Sequence, residues 1–400
     1  MHIHRSRSRL SFRKRRRRSG CLSLVVLLGM LVGVGTLSWS WLERRLTATA
    51  PQPARADLMA AAQQSYDRGD LNSAIDLARQ VLAEQPQHAG AVTLLARALV
   101  YRSYSDYNRA LDRNLALEIT SEAAARGSGS AEILAAHAFA LQAKGQPAQA
   151  AQTAQRALEI DPDQVLARTA LALAYGSAGN YEVSMRESQR AVRAANVANG
   201  LDALRALAIA YSDLGNYQDA ARTVERAIEL NNKILLLYFE RALYALQLGD
   251  ADAATVAYYD VLVNDPENVK ARLRLCELSS LLREREAAID YCRQVTLRAP
   301  SWADGWYQLG REYFLQGNFR EAQLHLNRCS SLQVMQNVPV SERRFECWYL
   351  QGQAAEILGD CDALVATYNE FLAMAADSNV QQTWTYPPEG PPGCSTPLTR

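Results

Sequence analysis

The chain has 400 residues, 48% of them hydrophobic and 21% charged, with a formal net charge of +1. That length and apolar content can bury a large core and exclude bulk disorder. Nine of the 43 basic residues lie within residues 1–20, which hold no acid, so the other 380 residues carry 34 basic against 42 acidic groups, a balance of −8. An acidic body on a basic tail argues against nucleic acid as a partner.

In chain order, the tail (1–20) ends in the basic run Arg13 to Arg18 and is followed by Cys21 to Leu42, which has no charged residue. As a helix these 22 residues would span roughly 33 Å, close to the ~30 Å hydrocarbon core of a bilayer. Trp39 and Trp41 stand at the far end, where amphipathic aromatics prefer the interface. The charge bias predicts a single-pass membrane anchor, N-terminus cytoplasmic and the rest extracytoplasmic. A signal peptide cleaved after Ala50 or Ala56 is the competing reading, although the apolar stretch is longer than such peptides use. A third is an array kept in the cytoplasm by the opposite topology. Residues 43–56 then form a short linker containing Pro51 and Pro53.

From 57 to 378 the pattern is helical throughout, with no convincing strand alternation. The same punctuation returns: a turn built on Gly69, Gly145, Gly179, Gly215, Gly249, Gly317 or Gly359, with alanines such as Ala74, Ala150, Ala220, Ala254 and Ala322 beyond it. Proline recurs where a second helix should stop, at Pro86, Pro162, Pro266 and Pro300. Nine units follow: 55–88, an irregular second one, 131–164, 165–198, 201–234, 235–268, 269–302, 303–336 and 345–378. The second is lengthened between Tyr101 and Arg113. In the seventh, Arg283 stands where the turn glycine belongs. Residues 379–400 hold five prolines and cannot continue as helix.

The clearest unit reads WYQLGREYFLQGNFREA from Trp306 to Ala322. Small residues (Gly310, Ala322) would let two antiparallel helices approach, while Trp306, Leu309 and Tyr313 fill the space beside them. This spacing resembles the tetratricopeptide repeat, a 34-residue helix–turn–helix. The resemblance implies an all-α solenoid of about nine repeats, a right-handed superhelix whose first helices line a concave groove for a protein or peptide segment. It makes a membrane-anchored scaffold in envelope assembly or a membrane-associated complex the expected function. Binding of an envelope polymer such as a glycan, or service as accessory subunit of an envelope enzyme, is the alternative.

On that register the groove positions are Phe139, Leu173, Arg205, Ile209, Phe239, Leu243, Lys270, Arg274, Tyr307, Arg311, Phe314 and Tyr349. Lys270 and Arg274 match the last lysine–arginine pair of the carboxylate clamp by which some family members hold chaperone tails. Arg205, Ile209 and Glu240 stand where that clamp needs lysine, asparagine and asparagine, so a chaperone clamp is not expected. Six cysteines lie beyond residue 42 and, in an extracytoplasmic body, allow three bridges in fifteen connectivities; repeat geometry ranks Cys276 with Cys292 and Cys329 with Cys347 first, leaving Cys361 for Cys394. Burial as small apolar residues is the other reading of Cys276 and Cys292. The five histidines are scattered, with no metal-binding pair, and Gly127 to Ser130 lacks the lysine of a phosphate loop. Neither an enzyme activity nor a cofactor nor a metal is expected.

Overall fold

The computed structural model describes residues 55–126, 129–196, 198–376 and Cys394. The expected basic tail, spanning helix and most of the linker, and all of the proline-rich tail except Cys394, lie outside the described residues. No described helix is long and apolar enough to cross a membrane.

The described chain is an all-α solenoid of nine helix pairs. They are α1 (Arg55–Asp67) with α2 (Leu71–Glu84), α3 (Ala89–Ser103) with α4 (Leu111–Arg126), α5 (Ala131–Ala143) with α6 (Pro147–Ile160), and α7 (Val165–Ser177) with α8 (Tyr181–Ala194). Next come α9 (Gly200–Asp213) with α10 (Tyr217–Leu230), α11 (Leu235–Gln247) with α12 (Ala251–Asn264), and α13 (Val269–Leu281) with α14 (Arg285–Arg298). The last pairs are α15 (Ala303–Gln316) with α16 (Phe319–Met335) and α17 (Glu346–Leu358) with α18 (Cys361–Ala375). A short 3-10 turn at Val340–Glu342 sits in the insertion before α17.

Local chemistry sets the boundaries. Asp70, Asn216, Asp250, Asn318 and Asp360 precede second helices, and each accepts a hydrogen bond from the backbone N–H three residues on. Inside a pair, the turn needs one residue with positive φ to release the last carbonyls of the first helix. Gly317 supplies it with φ 84°, and Arg283 adopts the same conformation with φ 65°. The expected substitution of the turn glycine therefore leaves the turn intact, at the cost of a side chain in the left-handed region.

Small residues bring the helices together. A Cβ added at Gly310 would lie 2.7 Å from Leu326 Cγ, so α15 and α16 need glycine at this crossing. Around it Trp306 and Tyr313 both stack on His325, with centroids 5.6 and 5.3 Å away. A core cluster extends from Ala62 in α1 to Ala271 in α13, and further clusters around Leu309, Leu326, Trp348 and Phe371 carry it through the last units. One pair could not bury its apolar face alone; nine in sequence can.

Candidate functional site

The second pair is where the array departs from simple stacking. Residues 104–110 separate α3 from α4, and they carry Tyr104, Asp106 and Tyr107 across to the inner helices of later units. Asn268, the N-cap of α13, donates to the Ser105 carbonyl at 2.9 Å, and Lys270 Nζ donates to the Tyr104 carbonyl at 2.6 Å. Tyr107 stacks on Trp302 with ring centroids 4.5 Å apart. The first pair makes the same return. Asn231 Nδ2 donates to the carbonyls of Tyr66 and Asp67 at 3.1 and 3.2 Å. A row of buried charges lies between these contacts: Arg97 pairs with Asp202 at 2.6 Å, and Arg205 with Glu240 at 2.7 Å.

This closure decides what becomes of the expected groove. Phe139 and Leu173 are only 1% and 4% exposed. Phe139 packs beside Tyr101, with ring centroids 6.3 Å apart. Both are core residues in the closed arrangement and do not face a ligand. Ile209 is half-buried against the same core. Arg205 is held by Glu240, whose carboxyl burial pushes above the ordinary range against the pull of that arginine. Glu240 Oε2 is left buried without a hydrogen-bond partner among the described residues. Lys270 is occupied by Tyr104 and lies over the Phe239 ring at 4.2 Å. Burial, helped by the nearby Arg274 charge, lowers its pKa to about 8.

Beyond Lys270 the groove opens. A cleft of about 440 Å³ runs between α11 and α13, with Phe239, Leu246, Tyr258 and Leu278 among its walls and Leu243 and Leu281 at its mouth. Leu243 is 48% exposed and Leu281 74%, so the two add apolar surface beside the apolar walls. Arg274 and Glu277 form its polar edge, paired at 2.6 Å. The edge continues onto α15: Gln308 Nε2 donates to Glu277 at 3.2 Å, and Arg311 donates to Ser280 Oγ at 3.2 Å and to Glu312 at 3.1 Å.

The remaining expected groove residues lie further along and are half-buried. The guanidinium of Arg344 covers Tyr307 at 4.6 Å, Phe314 meets Phe319 edge-on at 5.3 Å, and the Tyr349 hydroxyl accepts from Gln353 Nε2 at 3.0 Å. The structure thus gathers Phe239, Leu243, Lys270 and Arg274 in the cleft, with Arg311 beside it and Phe314 on the same helix. It separates them from Phe139, Leu173, Arg205 and Ile209. Leu246, Glu277 and Leu281 line the cleft without having been picked out. Their signal was the spacing of Arg274, Glu277 and Leu281, which puts the three on one helical face.

The sulfur pairs lie from α13 onward. Cys276 is joined to Cys292, Cys329 to Cys347 and Cys361 to Cys394, with Cα atoms 5.3, 5.9 and 5.6 Å apart. Cys329–Cys347 links α16 to α17 across the insertion. Among the described residues no three His, Cys, Asp or Glu side chains form a group that could hold a metal.

Family models described as tetratricopeptide repeat match residues 205–275, 131–164 and 303–333, each segment falling on helix pairs of the array. The chain carries tetratricopeptide repeats. Its repeats resemble those of the APC/C hetero-tetramer Cut9–Hcn1 crystal structure, at 15% identity and a TM-score of 0.57, over 78% of this chain and 58% of that one. This chain therefore spans little more than half the length of that neighbour. A tetratricopeptide repeat protein from Parabacteroides merdae is 17% identical with a TM-score of 0.40, over 64% of this chain and 98% of that one. The human IFIT1 dimer with m7Gppp-AAAA is 14% identical with a TM-score of 0.49, over 79% and 81%. At these identities the likeness concerns the fold alone. No curated protein matches the sequence. Repeats of this kind form a scaffold suited to protein–protein interaction.

Proposed function

We propose that this chain is a non-catalytic scaffold that holds a protein segment in the cleft between α11 and α13. The observation that carries the reading is the pair of exposed leucines, Leu243 and Leu281, at the mouth of an apolar concavity edged by Arg274 and Glu277. Apolar burial would supply the affinity, and the charged edge the orientation, as for an amphipathic segment laid in a groove. A protein partner suits the cleft better than a nucleic acid does, because the body beyond residue 20 is acidic.

The reading extends to location. The uncharged stretch from Cys21 to Leu42 would hold the repeats at a membrane, on the extracytoplasmic side, as part of an envelope or membrane-associated complex. The three cysteine pairs fit an oxidising compartment.

The test is a photo-reactive phenylalanine analogue placed at Leu281 of the full chain in cells, with Leu297 as control. Leu297 is 77% exposed and does not line the cleft. A protein adduct from position 281 that is absent from 297 is expected. No adduct, or a glycan adduct, would reject a protein-binding cleft. A phosphatase fused after Arg400 should be active, and the six cysteines beyond residue 42 should resist alkylation in the native protein until reduced; free alkylation would contradict the extracytoplasmic placement.

A further inference from the structure

Residues 104–107 read Tyr-Ser-Asp-Tyr, and each is used by a distant part of the array. The Tyr104 and Ser105 carbonyls accept from Lys270 Nζ and Asn268 Nδ2. The Asp106 carboxylate accepts from the backbone N–H of Lys270 at 2.9 Å and, at 3.5 Å, from that of Val269. The Tyr107 ring lies on Trp302. Backbone carbonyls held by side chains, one carboxylate at the start of a helix and one stacked ring are the contacts by which grooves hold extended peptides.

Tyr104 packs against the edge of the main core cluster and Tyr107, beside Trp302, against a smaller one. All four residues are half-buried, and they lie in a connection of seven residues, 104–110, where the sixth pair passes from Gln247 to Ala251 in three. Its own two helices do not need such a length. Lys270 belongs to both places: its ammonium is held by the segment, and its side chain forms part of the cleft wall.

We infer that Tyr104–Tyr107 is a built-in occupant of the groove, displaced when a partner binds, and that the partner presents the same chemistry: an extended protein segment with a carboxylate followed by an aromatic ring. This rests on the reading of the cleft as a protein-binding site. A partner segment leaving the cleft toward the start of α13 meets the Tyr104 carbonyl on Lys270 and must replace it. Its carboxylate then takes the place of Asp106 on the Val269 and Lys270 amides, and its ring the place of Tyr107 on Trp302.

The experiment uses the full chain in detergent and two synthetic peptides, Ser-Tyr-Ser-Asp-Tyr-Asn and the same sequence with Asn for Asp. Wild type is compared with the double variant Asp106→Ala/Tyr107→Ala. The variant should bind the Asp peptide at least tenfold more tightly than wild type does, and at least tenfold more tightly than it binds the Asn peptide. Equal affinity of variant and wild type, or no preference for the carboxylate, overturns the inference.

Native-state hydrogen exchange on the wild type is a second readout that does not depend on the variant folding. The Lys270 amide should exchange through an opening that leaves the amides from Leu273 to Leu278 protected. Exchange of all of them together would overturn the inference as well. A protein adduct from position 281 with a failed peptide experiment rejects the displaced segment and leaves the cleft standing. Peptide discrimination without an adduct does the reverse.

Discussion

Arg97 on α3 and Asp202 on α9 meet at 2.6 Å with side chains 8% and 1% exposed, and the Tyr101 hydroxyl donates to the same carboxylate at 2.5 Å. The Arg97 guanidinium also lies over the Tyr66 ring at 4.7 Å. Removing one partner of such a pair strands a buried charge, which costs about 3–5 kcal/mol. Asp202→Ala should therefore lower the unfolding free energy by about that much, measured by urea denaturation. The double replacement Arg97→Met/Asp202→Leu should cost less than the single one. A double variant as unstable as Asp202→Ala would show that the pair does more than balance its own desolvation.

Arg283 is exposed and sits at φ 65° in a turn that other units make with glycine. Arg283→Gly relieves the left-handed strain and should raise stability by about 1 kcal/mol, reduced slightly by the freer unfolded chain. A thermal midpoint that stays level or falls would mean that the arginine side chain compensates for its backbone.

Gly69 presents the opposite case. Its φ is 74°, and a Cβ there would lie 2.0 Å from Lys233 Cβ in the return contact between the first and fifth units. Gly69→Ala combines backbone strain with a clash that no rotamer of Lys233 can avoid, and should cost about 1–3 kcal/mol. Exchange of the amides in α1 and α2 should quicken more than that in α17. Uniform quickening would show that the contact is not specific to this end.

Lys270 makes one part of the stability depend on pH. Its pKa is lowered from 10.5 to about 8, first by burial and then by Arg274. Between about pH 8 and pH 10.5 the unfolded chain keeps a proton that the folded chain has released, so this residue adds to stability as the pH rises through that window. The unfolding free energy of wild type relative to Lys270→Met should climb across the window and stay level below it. A flat difference would show that the ammonium is better solvated than its surroundings indicate.

The repeat register was legible because it is local. Alanine, glycine and proline recur at spacings fixed by one helix pair, and the pairs follow them except the lengthened second one and the seventh, which has Arg283 at its turn. The same register ranked Cys276 with Cys292, which occupy facing helices of one unit, but it could not separate a bridge there from two buried thiols. The groove was legible only in part. Whether Phe139 faces a partner or Tyr101 depends on where the first two pairs fold back, and no periodicity records that destination. The one hint lay in the extra residues after Ser103, where Tyr104, Asp106 and Tyr107 bring rings and a carboxylate into a connection that needs neither.

In an open array, either terminal unit can peel away for the loss of a single interface. Asn231, reaching the carbonyls of Tyr66 and Asp67, gives the first unit a second neighbour and removes that freedom. Cys329–Cys347 and Cys361–Cys394 are found at the other end, in the last two units, α15 to α18. The two ends are thus secured by different chemistry, one by geometry and one by covalent bonds. A reductant would loosen only the second.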